Sequence, residues 1–216
     1  MIRETNPLPE LSNTIESGRA AASDDDRALV ASAQKGDLDA FELLVTKHQK
    51  RMLNIAFRMT NDYDEACEVV QDAFVSAYKN LKTFRGDAKF TTWLTTITLN
   101  LSRNKLKQMK SRQAQVAYSL DDPIQTEDGQ MVIDPPSKEP SVLDQLVKRD
   151  MRDQVQHCIK TLEPDFREVL VLRDMQDFSY NEIGSMLKMR EGTVKSRLFR
   201  AREMVKNCLK SVMGEL

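Results

Sequence analysis

Residues 179–206, SYNEIGSMLKMREGTVKSRLFRAREMVK, hold two amphipathic helices with only a short break between them, and this constrains the chain more than any other feature. Ser179 and Glu182 have capping-box spacing, which starts a helix, and Ile183, Met186 and Leu187 supply its apolar stripe. The pattern breaks over Lys188 to Gly192 and resumes at Thr193. On the second helix Val194, Leu198, Ala201, Val205 and Leu209 share one face, while Lys195, Ser196, Phe199, Arg200, Glu203 and Lys206 fall on the other. Solvated helix faces usually mix both signs. Here Lys188 to Lys210 carries eight Lys/Arg against two Glu, so the polar face is cationic rather than merely wet. A buried stripe backed by a cationic one suits a helix that packs inward and lays its outer side in a DNA major groove.

Charge elsewhere is segregated behind a net value of −1. Arg103 to Arg112 carries five basic residues and no acid, whereas 114–146 carries seven acids and one Lys. Two basic blocks flanking an acidic stretch suit a protein that touches nucleic acid twice. Seven glycines, seven prolines and a charged fraction of 30% in 216 residues favour helical bundles over sheets. Cys67, Cys158 and Cys208 are odd in number, widely spaced and without CxxC or Cys/His ligand spacing. They suggest neither a disulfide framework nor zinc, and read as buried or half-buried thiols in a reducing cytoplasm. No apolar run is long enough to span a bilayer, and the N-terminus has no apolar signal core, so the expected location is cytoplasmic, with no direct membrane insertion.

The expected fold class is all-α, with two small helical domains joined by an extended linker. Residues 1–23 are polar and aperiodic and read as a disordered tail. Helical spacing begins near Asp24, turns at Gly36-Asp37, breaks at Asn61-Asp62, and resumes over 63–81 with the stripe Ala66, Val69, Val70, Ala73, Phe74, Ala77 and Leu81. Gly86-Asp87 marks a turn before a long helix expected over 90–110, which closes a first domain at 24–113. Residues 114–142, with Pro123, Pro135, Pro136 and Pro140, read as an acidic linker. A helix from about Ser141 to Thr161, a turn at Pro164, a helix over 166–174 and the helix pair above make a second domain at 143–216.

DEACEVVQDAFVSAYKNLKTFRGDAKFTTWL (64–94) and LEPDFREVLVLRDMQDFSYNEIGSMLKMREGTVKSRLFRAR (162–202) resemble bacterial RNA polymerase sigma factors of the extracytoplasmic-function class. That class keeps sigma domains 2 and 4 and lacks a folded domain 3. Two motifs in the right order cover about Asp25 to Leu209. The resemblance implies a promoter-specificity subunit, often of a stress response, with no catalytic activity, cofactor, metal or small-molecule substrate. Its partners would be core polymerase, through the clamp helices and the flap, promoter DNA, and an anti-sigma factor.

Position by position, the resemblance implies three sets of residues. Asp64, Glu68, Gln71 and Asp72, off the apolar stripe of their helix, would dock on the clamp helices, where acid and amide groups pair with arginine. Phe84, Arg85, Phe90, Trp93, Asn100 and Arg103 would hold and read the opened −10 element, although Phe90 and Trp93 equally suit the core, Trp93 more than the DNA surface. Aromatic rings and cations suit unstacked bases and backbone, and an amide offers a donor and an acceptor to a flipped base. Lys105 and Lys107 would add phosphate contacts. Thr91 and Thr95 stand where relatives frequently have tyrosine. Arg173, Lys195, Ser196, Phe199 and Arg200 would contact the −35 element, with a GGAAC-like run as its expected core, and Arg197 and Arg202 would take phosphates. Two rivals fit less well. A stand-alone repressor needs a dimerisation or sensing domain, whereas the N-terminal half carries an FRGD loop and a basic helix. A recombinase needs a catalytic constellation, and His48 and His157 are isolated.

Overall fold

The structure is a computed structural model and describes residues 24–117 and 142–213. The expected tail lies outside those residues, as does 118–141 of the expected linker. Among the described residues there are eight α-helices: α1 (Asp24–Gln34), α2 (Leu38–Thr60), α3 (Tyr63–Asn80), α4 (Phe90–Ala117), α5 (Val142–Lys160), α6 (Pro164–Leu170), α7 (Tyr180–Leu187) and α8 (Glu191–Met213).

Local chemistry sets the boundaries in the first half. Gly36 takes the left-handed φ of 101° between α1 and α2, and the Asp37 carboxylate caps α2 by accepting from the Ala40 amide at 3.1 Å. Asn61, at φ 57°, closes α2, its N–H donating to the Phe57 carbonyl. Asp62 then caps α3 by accepting from the Glu65 amide at 2.9 Å. Ala66, Ala73 and Ala77 are fully buried, so small side chains let α2 and α4 approach α3 closely, while Val69, Phe74 and Leu81 fill the space between. The Gln34 amide donates to the carbonyls of Leu81 (2.9 Å) and Phe84 (2.8 Å), which ties the loop before α4 to α1.

α4 runs seven residues past its expected end at 110. Residues 113–117, Gln-Ala-Gln-Val-Ala, contain no Gly or Pro to end the helix at 110. Pro164 is not a turn residue but the first residue of α6, where its fixed φ is preset for a helix and its missing N–H costs nothing. α6 does not continue as α-helix to 174. It passes into a π-helical stretch, Val171–Met175, and Asp177 reverses the chain at φ 58°.

The capping box of α7 forms in both directions, Ser179 Oγ accepting from the Glu182 amide and the Glu182 carboxylate from the Ser179 amide. Lys188, at φ 54°, ends α7, and α8 begins at Glu191, two residues before Thr193. The break is this tight because position 184 is glycine. A Cβ there would lie 2.8 Å from the Met189 carbonyl oxygen.

The two halves share one hydrophobic core. It runs from Leu44, Met52, Ile55 and Leu94 to Ile159, Leu172, Ile183 and Leu198. Polar contacts reinforce it. Arg51 donates to the Gln176 carbonyl (2.6 Å) and lies over the Phe178 ring at 4.7 Å. Arg58 donates to Gln156, whose own amide donates to Asn61 at 3.1 Å.

Inside the first half the His48 ring nitrogen meets the Asp26 carboxylate at 3.1 Å, and Lys47 pairs with the same carboxylate at 2.8 Å. Burial dominates and holds the His48 pKa below its ordinary 6.5; Lys47 and Arg51 push the same way and Asp26 opposes them. As pH falls through 6.5 the unfolded chain therefore takes up this proton first. The folded state loses stability from there down to the lowered value, below which the slope vanishes. His48→Gln is expected to flatten the fall in unfolding free energy between about pH 7.5 and 5.5. Urea titrations at several pH values measure this, and equal slopes for both proteins would refute it.

Candidate polymerase and nucleic-acid interfaces

The cationic face of α8 faces outward. Val194, Leu198 and Ala201 are buried beneath it, and Val205 is half-buried. Of the seven residues expected at the −35 element, Arg200 and Phe199 are the two with no polar partner among the described residues, and the Phe199 ring is 68% exposed. Ser196 donates its hydroxyl back to the Thr193 carbonyl at 3.0 Å. Lys195 pairs with Glu191 at 2.6 Å and lies 5.3 Å from the Tyr180 ring. The Arg173 guanidinium also lies over the Tyr180 ring, 4.9 Å from its centroid, and donates to the Phe178 carbonyl. Arg202 is held bidentate by Asp174, at 2.9 and 2.5 Å, and Arg197 pairs with Asp165 at 2.9 Å. Arg197 and Arg202, expected on phosphates, are thus engaged within the protein, by Asp165 of α6, which packs against α8, and by Asp174 of the π-helical stretch.

The expected −10 set divides. Phe84, Phe90 and Trp93 form one aromatic cluster, with Phe84 and Trp93 centroids 4.9 Å apart and Phe90 and Trp93 5.8 Å apart. Phe90 is buried and belongs to the core rather than to a base-holding surface, since as the first residue of α4 it packs inward on His48. Phe84 and Trp93 keep part of their surface, and Arg85 is exposed beside the Gly86 turn. Asn100 is exposed, its side-chain oxygen accepting from Arg103 at 3.0 Å. Arg103 does not stand free for phosphate. Its guanidinium forks onto Glu168 of α6, whose side chain is 2% exposed, and that hydrogen bond holds the Arg103 pKa up. Lys105, the other expected phosphate contact, is clasped by Glu65 and Glu68 of α3.

Asp64, Glu68, Gln71 and Asp72 all lie exposed along α3. The Lys105 ammonium lowers the Glu68 pKa, so this acid stays ionised. Arg51, Gln156, Arg167 and Glu168, which join the two halves, escaped the sequence reading. Arg167 and Glu168 sit in an apolar run, FREVLVL, yet no local spacing names partners that lie 65 to 108 residues away.

The chain matches the Sigma-70 region 2 family over residues 44–112 and the Sigma-70 region 4 family over 152–205. It is 35% identical to the RNA polymerase sigma-H factor of Pseudomonas aeruginosa over 190 residues, spanning 88% of this chain and 96% of that protein. The chain belongs to the extracytoplasmic-function sigma factors. The sigma-E factors of that class from Haemophilus influenzae and Escherichia coli K12 are 32% and 35% identical, over 87% and 84% of this chain and 97% and 93% of theirs. As a sigma factor it directs promoter-specific initiation by RNA polymerase. Among solved structures, CnrH in complex with the cytosolic domain of CnrY superposes with a TM-score of 0.61 at 24% identity, over 87% of this chain and 98% of that one. RpoE in complex with the anti-sigma factor NepR, from Bartonella quintana, superposes at 0.58 and 24%, over 79% and 96%. The sigma factor thus shares its fold with both. The region 2 match spans every residue expected at the core and −10 surfaces, and the region 4 match every residue expected at the −35 surface.

Proposed function

We propose that 24–113 of this sigma factor docks on the clamp helices of core polymerase through Asp64, Glu68, Gln71 and Asp72 and opens the −10 element. In this reading Phe84, Trp93 and Arg85 hold unstacked bases, Asn100 reads one of them, and Arg103 reaches the backbone once it leaves Glu168. Residues 143–216 bind the polymerase flap and read the −35 element through Lys195, Ser196, Phe199 and Arg200, with Arg173 on a base or a phosphate and Arg197 and Arg202 reaching phosphates once they leave Asp165 and Asp174. One observation carries the reading: Arg200 and Phe199 are exposed side by side on α8 with no polar partner among the described residues, directly opposite a buried apolar stripe. A guanidinium suits guanine O6/N7 and an aromatic edge suits a thymine methyl. The protein acts in the cytoplasm, catalyses nothing itself, and is held in check by an anti-sigma factor. The two structural relatives described above, each solved with a bound protein partner, support that last point.

Arg200→Ala is expected to cost about 1–3 kcal/mol at a preferred −35 site and to flatten preference at one or two positions. Selection of transcribed templates from a library randomised at −35, with core polymerase and either protein, measures this. Enrichment of a motif without paired guanines, or one unchanged by the substitution, would remove α8 from base readout.

A further inference from the structure

Cys158 of α5 and Cys208 of α8 are joined by a disulfide, with Cα atoms 5.7 Å apart. This overturns the expectation of three unpaired thiols; only Cys67, half-buried on α3, is free. Fifty residues separate the pair, so no spacing motif announces it. Its place matters. The buried stripe of α8 is fully covered at Val194, Leu198 and Ala201, but Val205 and Leu209 are only half-covered. The bond lies where apolar anchoring of α8 fades. Its other end, Cys158, is fully buried, two residues from Gln156, which meets the first half of the chain.

We propose that Cys158 and Cys208 are a reversible redox site, oxidised by peroxides and reduced by dithiols, that sets how firmly the DNA-reading helix is anchored. The inference rests on the sigma-factor reading in one respect: transcription takes place where thiols are kept reduced, and disulfides there are usually transient or redox-sensing. The half-buried Cys208 is the more accessible sulfur and attacks as thiolate. It breaks the peroxide O–O bond, becomes a sulfenic acid, and releases hydroxide, which leaves as water. The Cys158 sulfur, having lost its proton, then attacks the Cys208 sulfur; the S–O bond breaks and a second water departs. Two electrons pass from two thiols to one peroxide. A dithiol reverses the step by exchange and is itself oxidised.

The full-length protein, reduced and then treated with hydrogen peroxide or with graded mixtures of reduced and oxidised glutathione, tests this by peptide mass mapping and thermal unfolding. A Cys158–Cys208 linked peptide is expected, with Cys67 left as thiol and with the reduced fraction changing across cytosolic glutathione ratios. Closing so long a loop is expected to raise the unfolding midpoint of the protein by about 10 °C. Cys67→Ser should keep the shift, and Cys208→Ser, at a half-exposed position, should abolish it. Failure of the pair to oxidise with peroxide, a pair locked in one state at every glutathione ratio, linkage through Cys67, or an unmoved midpoint would each overturn the proposal. None of these readouts needs polymerase. Run-off transcription with core enzyme on the same samples tests the sigma-factor reading separately.

Discussion

Arg167→Ala is expected to lower the unfolding free energy of the chain by about 3–5 kcal/mol. The guanidinium is buried and donates to three carbonyls: Met59 (2.6 Å), Lys160 (2.5 Å) and Leu162 (2.9 Å). Met59 and Lys160 lie in the last turns of α2 and α5, where carbonyls have no partner within their own helix. One side chain therefore caps two helices from different halves of the protein and places its charge at the negative ends of both dipoles. Burial lowers its pKa, but a guanidinium remains cationic even so. Alanine would leave three acceptors dry and a cavity beside the shared core. Arg167→Lys keeps the charge but cannot span three acceptors with a planar fork, and is expected to recover only part of the loss. Urea denaturation followed by helical circular dichroism measures both variants. A change below about 1 kcal/mol for Arg167→Ala would show that solvent or a rearranged backbone satisfies those carbonyls.

The second large effect is expected at α3. Asp72→Lys should weaken binding to core polymerase on the order of a hundredfold while leaving the helix content unchanged, because like charges facing across an interface cost several kcal/mol. Asp72 is the cleaner choice over Glu68. It is exposed and unpaired among the described residues, whereas Glu68 is clasped by Lys105, and reversing it would set two ammonium groups together inside the protein. Equilibrium binding to core, at two salt concentrations, reads the loss. Unchanged affinity in a folded variant would take this helix out of the interface.

What was legible in the sequence follows from local causes. The periodicity of Ala66, Val69, Ala73, Phe74 and Ala77 identified the buried face of α3, because helical spacing and apolar burial are properties of a single helix. The same reasoning identified Val194, Leu198 and Ala201 beneath α8, and the capping box at Ser179 forms as its spacing implied. Phe90 stays open between core and DNA surface in the sequence for the opposite reason. It follows a turn and carries an aromatic ring, and only the position of His48 across the fold shows that the ring points inward. Arg103 and Lys105 stood in a basic run with no acid in it, and their partners come from α6 and α3.

By itself the sequence determined the all-α class, the two motif blocks, the helix pair ending in α8 and the sign of charge on its outer face. Each depends on residues within one or two turns of each other, and propensity, capping and periodicity act at that range. Only the tertiary structure decided which cations are free and which are spent. Arg200 stands open, while Arg202, Arg197 and Arg103 are held by Asp174, Asp165 and Glu168. It also decided that Cys158 meets Cys208, and that Arg167 closes the ends of α2 and α5 at once. These pairings join groups up to 108 residues apart, brought together by burial of the shared apolar core. Burial of that kind is non-directional and leaves no local trace of its partners.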